Sequence, residues 1–409
     1  MAPVNLNRRR SSGPLRCAAV LAAFALAVSG CSIDLSGLRP GGGDTPSPSP
    51  TPVDAKPVLD AAVKALGEMP AVAVQGQIAP ASGGKEDKGD VNEVALTVTD
   101  SGAVSGTLQE NENEARVMEA DDKLFVNAPT EYWLDQDVAN PDSDKYGGSW
   151  VRVSGSQLGM DPSQVLAPEK LAAILKELAP TKDTATLENL DGTSAYRVDL
   201  GGGEKNRVWI SEDEPYRLLR MEIEELNPEG GDGGPRTRLN FTEPGSADVD
   251  KVFEDLIGAA EDDLSDSRDA RVPVAWESQL ELNCQTGGKC TVSGTVEDDS
   301  TGGQKAEGTV LVRLDATLQN DELGEKKCDD TASLKAGGTA DVSCSVDYKL
   351  GASSSPKSYE VTGKGLLSTR GLSGKDKDQL VKSLKEQRKA ANEGGAGDKQ
   401  DSSEEPSDN

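Results

Sequence analysis

The sequence predicts an α+β fold followed by a separate all-β domain. In residues 56–258, strand-like runs with a period of two are interrupted by three stretches that have the 3.6-residue period of a helix. In residues 271–370, the period of two continues without a helical stretch, which is typical of a β-sandwich. The 409 residues are enough for two domains of ordinary size. We therefore expect an antiparallel meander covered by helices, and then a sandwich.

Three predicted helices belong to the first domain, with apolar stripes over residues 58–66, 171–178 and 249–256. The second is the clearest, because Pro168 fits its first turn and Pro180 ends it. The third follows a capping serine, Ser246. Apolar residues in the strand-like runs between these helices alternate, so one sheet face is expected to pack against the helices.

The remaining segments have the composition of connectors and tails. Residues 31–55 are rich in Pro, Gly and Ser, and their alternating prolines favour an extended tether. Residues 259–270 are acidic and are expected to form a linker between the two domains. Residues 371–409 are expected to form a charged helix over 376–388 and then a disordered acidic tail.

Residues 1–30 have the three parts of a secretory signal. Four arginines precede an apolar run over residues 18–28, which is too short to span a bilayer, and small residues precede Cys31. The sequence Val28-Ser29-Gly30-Cys31 resembles the lipobox of bacterial lipoproteins, whose cysteine receives a diacylglyceryl group. The alternative is an ordinary signal with a chance cysteine. We expect a protein anchored to the cell membrane through the Cys31 lipid, on its extracytoplasmic side.

Composition excludes several functions. The formal charge is −28, and removal of the four arginines in residues 1–30, which contain no acid, lowers it by four to −32. Phosphate backbones repel such a surface, so nucleic acid is not an expected partner. The chain has no histidine, which removes the Ser-His-Asp and Cys-His arrangements and every zinc site that uses histidine. We expect no cofactor, no metal and no enzymatic activity.

Four cysteines in the second domain predict disulfides, because they lie beyond the signal and hence in an oxidising compartment. Of the three possible pairings, we favour Cys284 with Cys290 and Cys328 with Cys344, since each pair closes a short loop between strand-like runs. A zinc site with four cysteine ligands is the alternative, but the spacings lack CxxC knuckles.

The order of elements in residues 56–257 resembles the LolA-like fold of actinobacterial lipoproteins in the LppX and LprG class. The resemblance depends on a helix before a run of strands, on Gly148-Ser149-Trp150-Val151 followed by a helix, and on a late hairpin over 209–219. Residues 334–344 look weakly like the late strands of Ig-like or fibronectin-like modules. The first resemblance implies a strongly curved half-barrel that wraps helices, with an apolar cavity for acyl chains.

The candidate residues for the lining of that cavity are apolar side chains of the predicted strands and of the second helix. They are Val94, Leu96, Val98, Leu124, Val126, Trp150, Leu171, Ile174, Leu175 and Leu178. The alternative is that these side chains fill one another as an ordinary core, since a sequence does not show whether volume remains between them.

Three functions follow as hypotheses. The first is a non-enzymatic envelope lipoprotein that binds a lipid or another amphipathic ligand. The second is an interaction or scaffold protein, in which both domains are solid and a protein partner in the envelope is recruited. The third is a carboxylate-dependent hydrolase of wall polymers, which the 71 acidic residues neither support nor exclude.

The lipobox generates the first testable prediction. Replacing Cys31 by Ala should abolish lipid modification and release the protein from the membrane, because the thiol is the acylated group. Metabolic labelling with a fatty acid, followed by fractionation, measures both effects. Incorporation of label into the Cys31→Ala protein would show that the anchor is elsewhere.

Overall fold

One sheet of 13 strands organises the first part of the chain, in the order β1-β8-β9-β10-β11-β12-β2-β3-β4-β5-β6-β7-β13. The computed structural model describes residues 52–79, 91–136, 138, 140–227, 234–300, 308–351, 355 and 357–394. All neighbouring strands of this sheet are antiparallel except β13, which pairs with β7 in parallel. The sheet does not close, and β1 and β13 are its two edges. Cys31, the predicted signal and residues 395–409 lie outside the described residues.

The three predicted helices are present in the first part, together with three short helices that were not predicted. The elements of the first part are β1 (Val53–Asp54), α1 (Ala55–Gly67), β2 (Ala71–Ala79), β3 (Asn92–Thr99), β4 (Val104–Glu110), β5 (Asn113–Ala120), β6 (Lys123–Asn127), α2 (Thr130–Asp135), β7 (Trp150–Val153), α3 (Gly155–Leu158), α4 (Pro162–Val165), α5 (Pro168–Glu177), β8 (Thr184–Leu190), β9 (Thr193–Asp199), β10 (Arg207–Ser211), β11 (Leu218–Ile223), β12 (Arg236–Thr242), α6 (Ser246–Asp262) and β13 (Arg268–Asp269). The predicted α+β fold with a curved sheet is therefore confirmed. The third helix is capped by Gly245, one residue before the predicted Ser246.

The second part is a sandwich of two small sheets. Its elements are β14 (Val274–Trp276), β15 (Glu281–Cys284), β16 (Lys289–Asp298), β17 (Thr309–Asn320), β18 (Gly324–Lys335), β19 (Thr339–Asp347) and β20 (Thr362–Arg370), and the chain then forms α7 (Gly374–Gly394). In one sheet, β14 and β15 pair with one edge of β16, and β19 pairs with the other. In the second sheet, β17 lies between β18 and β20. Valine and leucine side chains from both sheets form one apolar cluster between them.

Two glycines permit close contacts between neighbouring strands at the centre of the large sheet. A Cβ atom on Gly76 of β2 would lie 2.1 Å from the carbonyl oxygen of Arg238 on β12. A Cβ atom on Gly106 of β4 would lie 2.1 Å from the carbonyl oxygen of Ala95 on β3. Any other residue would push these strands apart, so glycine is required at both positions.

Helices cover both faces of the sheet. On the inner face, α1 and α5 pack against each other and against the strands, and their leucine and valine side chains join the main apolar cluster. On the outer face, α6 and α7 cover Met118, Phe125 and Trp150. Because both faces are apolar at the β5–β7 end, the strands there are buried on both sides.

Helix α7 corrects the predicted organisation of the C-terminal residues. It is longer than the predicted 376–388, and it packs against α6 of the first part, although it follows the sandwich in sequence. Leu380 and Leu384 are buried in this contact, and the Arg388 guanidinium lies 2.6 Å from the Asp250 carboxylate. The few apolar residues of α7 were visible in the sequence, but the surface that they cover was not.

The predicted acidic linker is also corrected, because much of residues 259–270 is folded. Helix α6 continues to Asp262, a 3-10 turn follows over Leu264–Asp266, and β13 then pairs with β7. Leu264 and Asp269 are buried. The apolar side of α6 packs on the sheet, and its acidic side chains lie on the other side of the helix. A prediction based on the charge of this segment alone therefore took it for a linker.

A buried polar network joins the sheet to the sandwich. The Asn140 side-chain amide donates to the carbonyl oxygen of Asp269 (3.1 Å) and to the Tyr146 hydroxyl (2.9 Å), and the Asn140 amide oxygen accepts from the backbone of Val274 (2.8 Å). The Asp142 carboxylate accepts from the backbone of Thr369 on β20 (3.0 Å). Buried polar groups with well-placed partners fix a single geometry. The two parts are therefore held in one orientation, and the described residues between 52 and 394 belong to one compact unit.

Candidate functional site

The inner face of the sheet is the candidate site, because the predicted lining residues meet there. Eight of them belong to the inner apolar cluster: Val94, Leu96, Val98, Leu124, Val126, Leu171, Ile174 and Leu175. Leu178 follows the end of α5 and is partly buried against the same cluster. All of these side chains are aliphatic, so the face offers a surface suited to alkyl groups.

Trp150 is a correction, since it lies on the opposite face. Its side chain packs under α6 and α7, whereas the neighbouring Val151 and Val153 face inward. Successive side chains of a strand point to opposite faces. Sequence alone could not assign the faces, because helices bury both of them here.

A small enclosed space remains within the inner cluster, which we call the apolar space. Its walls are Ile78, Asn92, Val94, Leu96, Leu108, Val117, Leu158 and Met160. Its volume is about 10 Å³, which is close to the room that one water molecule needs. Two of the predicted lining residues, Val94 and Leu96, therefore border space, while the other predicted lining residues of the inner cluster pack within it.

The apolar space is covered by residues 155–165, which we call the cover segment. It consists of α3 and α4, each four residues long, joined through Gly159, whose φ of 87° places it in the left-handed region. Leu158 and Met160 of this segment close the space against the sheet. Such short helices have few internal hydrogen bonds, so their position depends on contacts with the rest of the protein.

Polar contacts hold the cover segment in place, among them a hydrogen bond of 3.2 Å from the Gln164 side-chain amide to the Asp122 carboxylate. At one end, the Gln157 side-chain amide donates to the carbonyl oxygen of Ala270, 2.8 Å away. At the other end, the carboxyl of Glu119 on β5 accepts hydrogen bonds from the Ser163 backbone N–H (3.0 Å) and hydroxyl (2.7 Å). Glu119 is only 1% exposed, so its carboxyl forms hydrogen bonds with the cover segment instead of with water.

The environment of Glu119 favours its neutral form. Burial, and then the negative charge of Asp161, raise the pKa of Glu119 from 4.5 to about 8, although the hydrogen bonds from Ser163 act in the opposite direction. At neutral pH the carboxyl is therefore mostly protonated. A neutral group can remain buried beside Asp161 without like-charge repulsion.

Sequence reasoning missed Glu119, Asp161 and Ser163. Along the chain, Glu119 is 42 residues from Asp161 and 44 residues from Ser163. None of the three belongs to a catalytic or metal-binding motif. The only available signal was a carboxylate in a strand whose neighbours, Met118 and Ala120, are apolar. In a chain with 71 acidic residues that signal has little weight.

The predicted cysteine pairs lie in the sandwich, away from the inner face. Cys284 and Cys290 join β15 to β16, and Cys328 and Cys344 join β18 to β19, which belong to different sheets. Within the described ranges, no group of three or more Cys, Asp or Glu side chains is arranged to hold a metal ion. No helix of the described part of the chain is long and apolar enough to cross a membrane.

The raised pKa of Glu119 predicts a pH-dependent stability. The folded state binds the Glu119 proton up to about pH 8 and the unfolded chain only to about 4.5. The contribution of Glu119 to stability is therefore greatest below pH 4.5 and falls as pH rises through this window. Glu119→Gln keeps a neutral side chain and should match the wild type at pH 5. At pH 9 its free energy of unfolding should exceed that of the wild type by about 1.4 kcal/mol or more, the equivalent of one pKa unit.

Denaturant unfolding at both pH values measures this difference. The matched control is Glu114→Gln, because Glu114 is an exposed carboxylate on the same strand. It should follow the wild type at both pH values. Identical pH dependence of Glu119→Gln and the wild type would contradict the buried neutral carboxyl.

Comparison with known proteins adds little to this geometry. No protein-family model matches the chain, and a search of curated proteins found no match. The crystal structure of LprF from Mycobacterium bovis is similar with a TM-score of 0.29 and 16% sequence identity, over 47% of this chain and 96% of the LprF chain. A TM-score this low does not establish a common fold, so the resemblance to the LppX and LprG class stays a prediction from sequence.

Proposed function

We propose that this protein is a non-enzymatic lipoprotein of the cell envelope that binds an acyl chain on the inner face of its curved sheet. The observation that carries the proposal is the apolar space. Aliphatic side chains of the sheet and the Asn92 side chain surround it, and a segment of two four-residue helices closes it. Burial of each CH₂ group of an alkyl chain there is worth about 0.8 kcal/mol.

Binding requires the cover segment to move. A volume of about 10 Å³ holds no acyl chain, whereas typical ligand sites have about 300 to about 1,000 Å³. Displacement of Leu158 and Met160 extends the space along Ile78, Val94 and Leu96, which already line it. The two four-residue helices of the cover segment have few internal hydrogen bonds, and such elements open at lower free energy than the core of a sheet.

The interaction hypothesis is the second candidate, and the packing of the inner face supports it. Apart from the apolar space, the predicted lining residues contact one another as a core. In that function the interior stays closed, and the fixed joint between sheet and sandwich presents one rigid surface to a protein partner. Acyl binding distinguishes the two functions.

The test uses the full chain with Cys31→Ala, to avoid its own acyl group, and a fluorescent monoacylglycerol as a neutral probe. Leu96→Trp should weaken binding by about tenfold or more, because the larger ring fills the apolar space. Met160→Ala should strengthen binding, because it widens the space. Leu318→Trp is the matched control: Leu318 is equally buried but lies in the sandwich, so its substitution should leave binding unchanged.

Circular dichroism of each variant shows whether the sheet still folds. If neither the wild type nor Met160→Ala binds the probe, the acyl-binding proposal is wrong and the interaction function is favoured. Equal losses of probe binding in Leu96→Trp and Leu318→Trp would show that both substitutions act by destabilising the whole protein.

A further inference from the structure

The turn between β5 and β6 contacts two elements that lie on opposite faces of the large sheet. It consists of Asp121 and Asp122, whose φ angles of 48° and 57° lie in the left-handed region. Strand pairing continues up to Ala120 and Lys123, so the loop has two residues. Two-residue loops with positive φ at both positions match the twist of the strands that they join. The sheet therefore fixes the backbone at both aspartates. We call this turn the hairpin tip.

Helix α7 holds the hairpin tip from the outer face of the sheet. The Asp121 carboxylate accepts hydrogen bonds from the Ser383 hydroxyl (2.9 Å) and from the Gln387 side-chain amide (3.0 Å). These two donors are one helical turn apart on α7, on either side of the buried Leu384. The same packing that buries Leu384 therefore brings both donors to Asp121.

The cover segment is attached to the same hairpin from the inner face. The Asp122 carboxylate accepts from the Gln164 side-chain amide (3.2 Å). Glu119, two residues before Asp121 on β5, accepts from Ser163. Because α4 has four residues, its position depends on such contacts with neighbouring elements. A displacement of the hairpin tip therefore displaces the partners that hold this end of the cover segment.

Helix α7 is attached to the rest of the protein by a small apolar surface. It has 21 residues, and Leu380 and Leu384 are its buried apolar side chains. The ion pair of Arg388 with Asp250 is partly exposed, and such pairs contribute little to stability. Elements with little buried apolar surface detach at lower free energy than the strands beneath them. Release of α7 therefore precedes unfolding of the sheet.

We propose that α7 is a strap that keeps the cover segment closed, and that its release from α6 opens the inner face. When α7 leaves, the Asp121 carboxylate loses two donors and the hairpin tip loses its outer support. Asp122 then no longer holds Gln164 in place. The role of this coupling in ligand entry rests on the proposed acyl-binding function, whereas the coupling itself does not depend on a ligand.

Hydrogen exchange of the full chain carrying Cys31→Ala, without lipid, tests the coupling. The double substitution Ser383→Ala with Gln387→Ala removes both donors to the hairpin tip and keeps the apolar contacts of α7. The reporters are the amides of residues 163–166, whose N–H groups are hydrogen-bonded within the cover segment or to Glu119. They should exchange about threefold or more faster, the factor expected from loss of a modest hydrogen bond.

The matched control lies on the exposed side of the same helix. Lys382→Ala with Lys389→Ala changes two exposed residues of α7 to alanine and leaves the donors to Asp121 in place. It should leave the exchange of residues 163–166 unchanged. Equal acceleration by the two double substitutions would overturn the inference, because the effect would then come from the helix in general.

A further variant tests the route through the hairpin tip. Gln164→Ala removes the contact on the inner side, so residues 163–166 should again exchange faster. Because coupling between two sites is reciprocal, the amides of residues 383–387 on α7 should also exchange faster. Addition of Ser383→Ala and Gln387→Ala to Gln164→Ala should then have little further effect on residues 163–166.

Three results would overturn the inference. The first is unchanged exchange of residues 163–166 when both donors of α7 are removed. The second is an equally large effect of that removal in the Gln164→Ala protein, because the coupling would then bypass the hairpin tip. The third is an equal acceleration of the β17 amides, which would show general destabilisation. Since no lipid is present, these results leave the acyl-binding proposal intact, and failure to bind the acyl probe leaves the coupling intact.

Discussion

The hydrogen bonds between Ser163 and the buried Glu119 carboxyl hold the inner face of the sheet closed. Without them, two polar contacts of the cover segment would remain, from Gln157 to Ala270 and from Gln164 to Asp122. The apolar side chains of Leu158, Met160 and Val165 also hold the segment by their burial. Burial of a carboxyl is costly, and protonation lowers that cost. A carboxyl whose charge state depends on pH therefore holds one end of the cover segment.

Elements with extensive packing surround the cover segment. Helices α6 and α7 bury the outer face, and the network of Asn140, Asp142, Tyr146, Asp269 and Thr369 fixes the sandwich against the sheet. Gln157 reaches Ala270, next to Asp269, so the sandwich joint and the cover segment share a neighbour. The sandwich thus supports the closed position of the cover segment.

Much of the fold was predictable because its signals are periodic. Residues close in sequence determine the apolar stripes of α1, α5 and α6 and the alternation of apolar residues in β3 and β17. The short loops between the cysteines limited the possible disulfide pairings. The position of α7 was not predictable, since Leu380 and Leu384 do not identify the surface they cover. Contacts between residues far apart in sequence determine three further features, and no local pattern predicts them. These features are the sheet face on which Trp150 lies, the hydrogen-bond partner of Glu119 and the volume that remains beside Leu96.

Opening of the cover segment to admit an acyl chain can be measured by hydrogen exchange of the backbone amides of residues 155–165, with and without monoacylglycerol. If the segment opens, these amides exchange through a local opening well below the free energy of global unfolding. Bound lipid should change their exchange and leave the exchange of the β17 amides unchanged. Exchange of residues 155–165 only through global unfolding, with no effect of lipid, would show that the inner face stays closed.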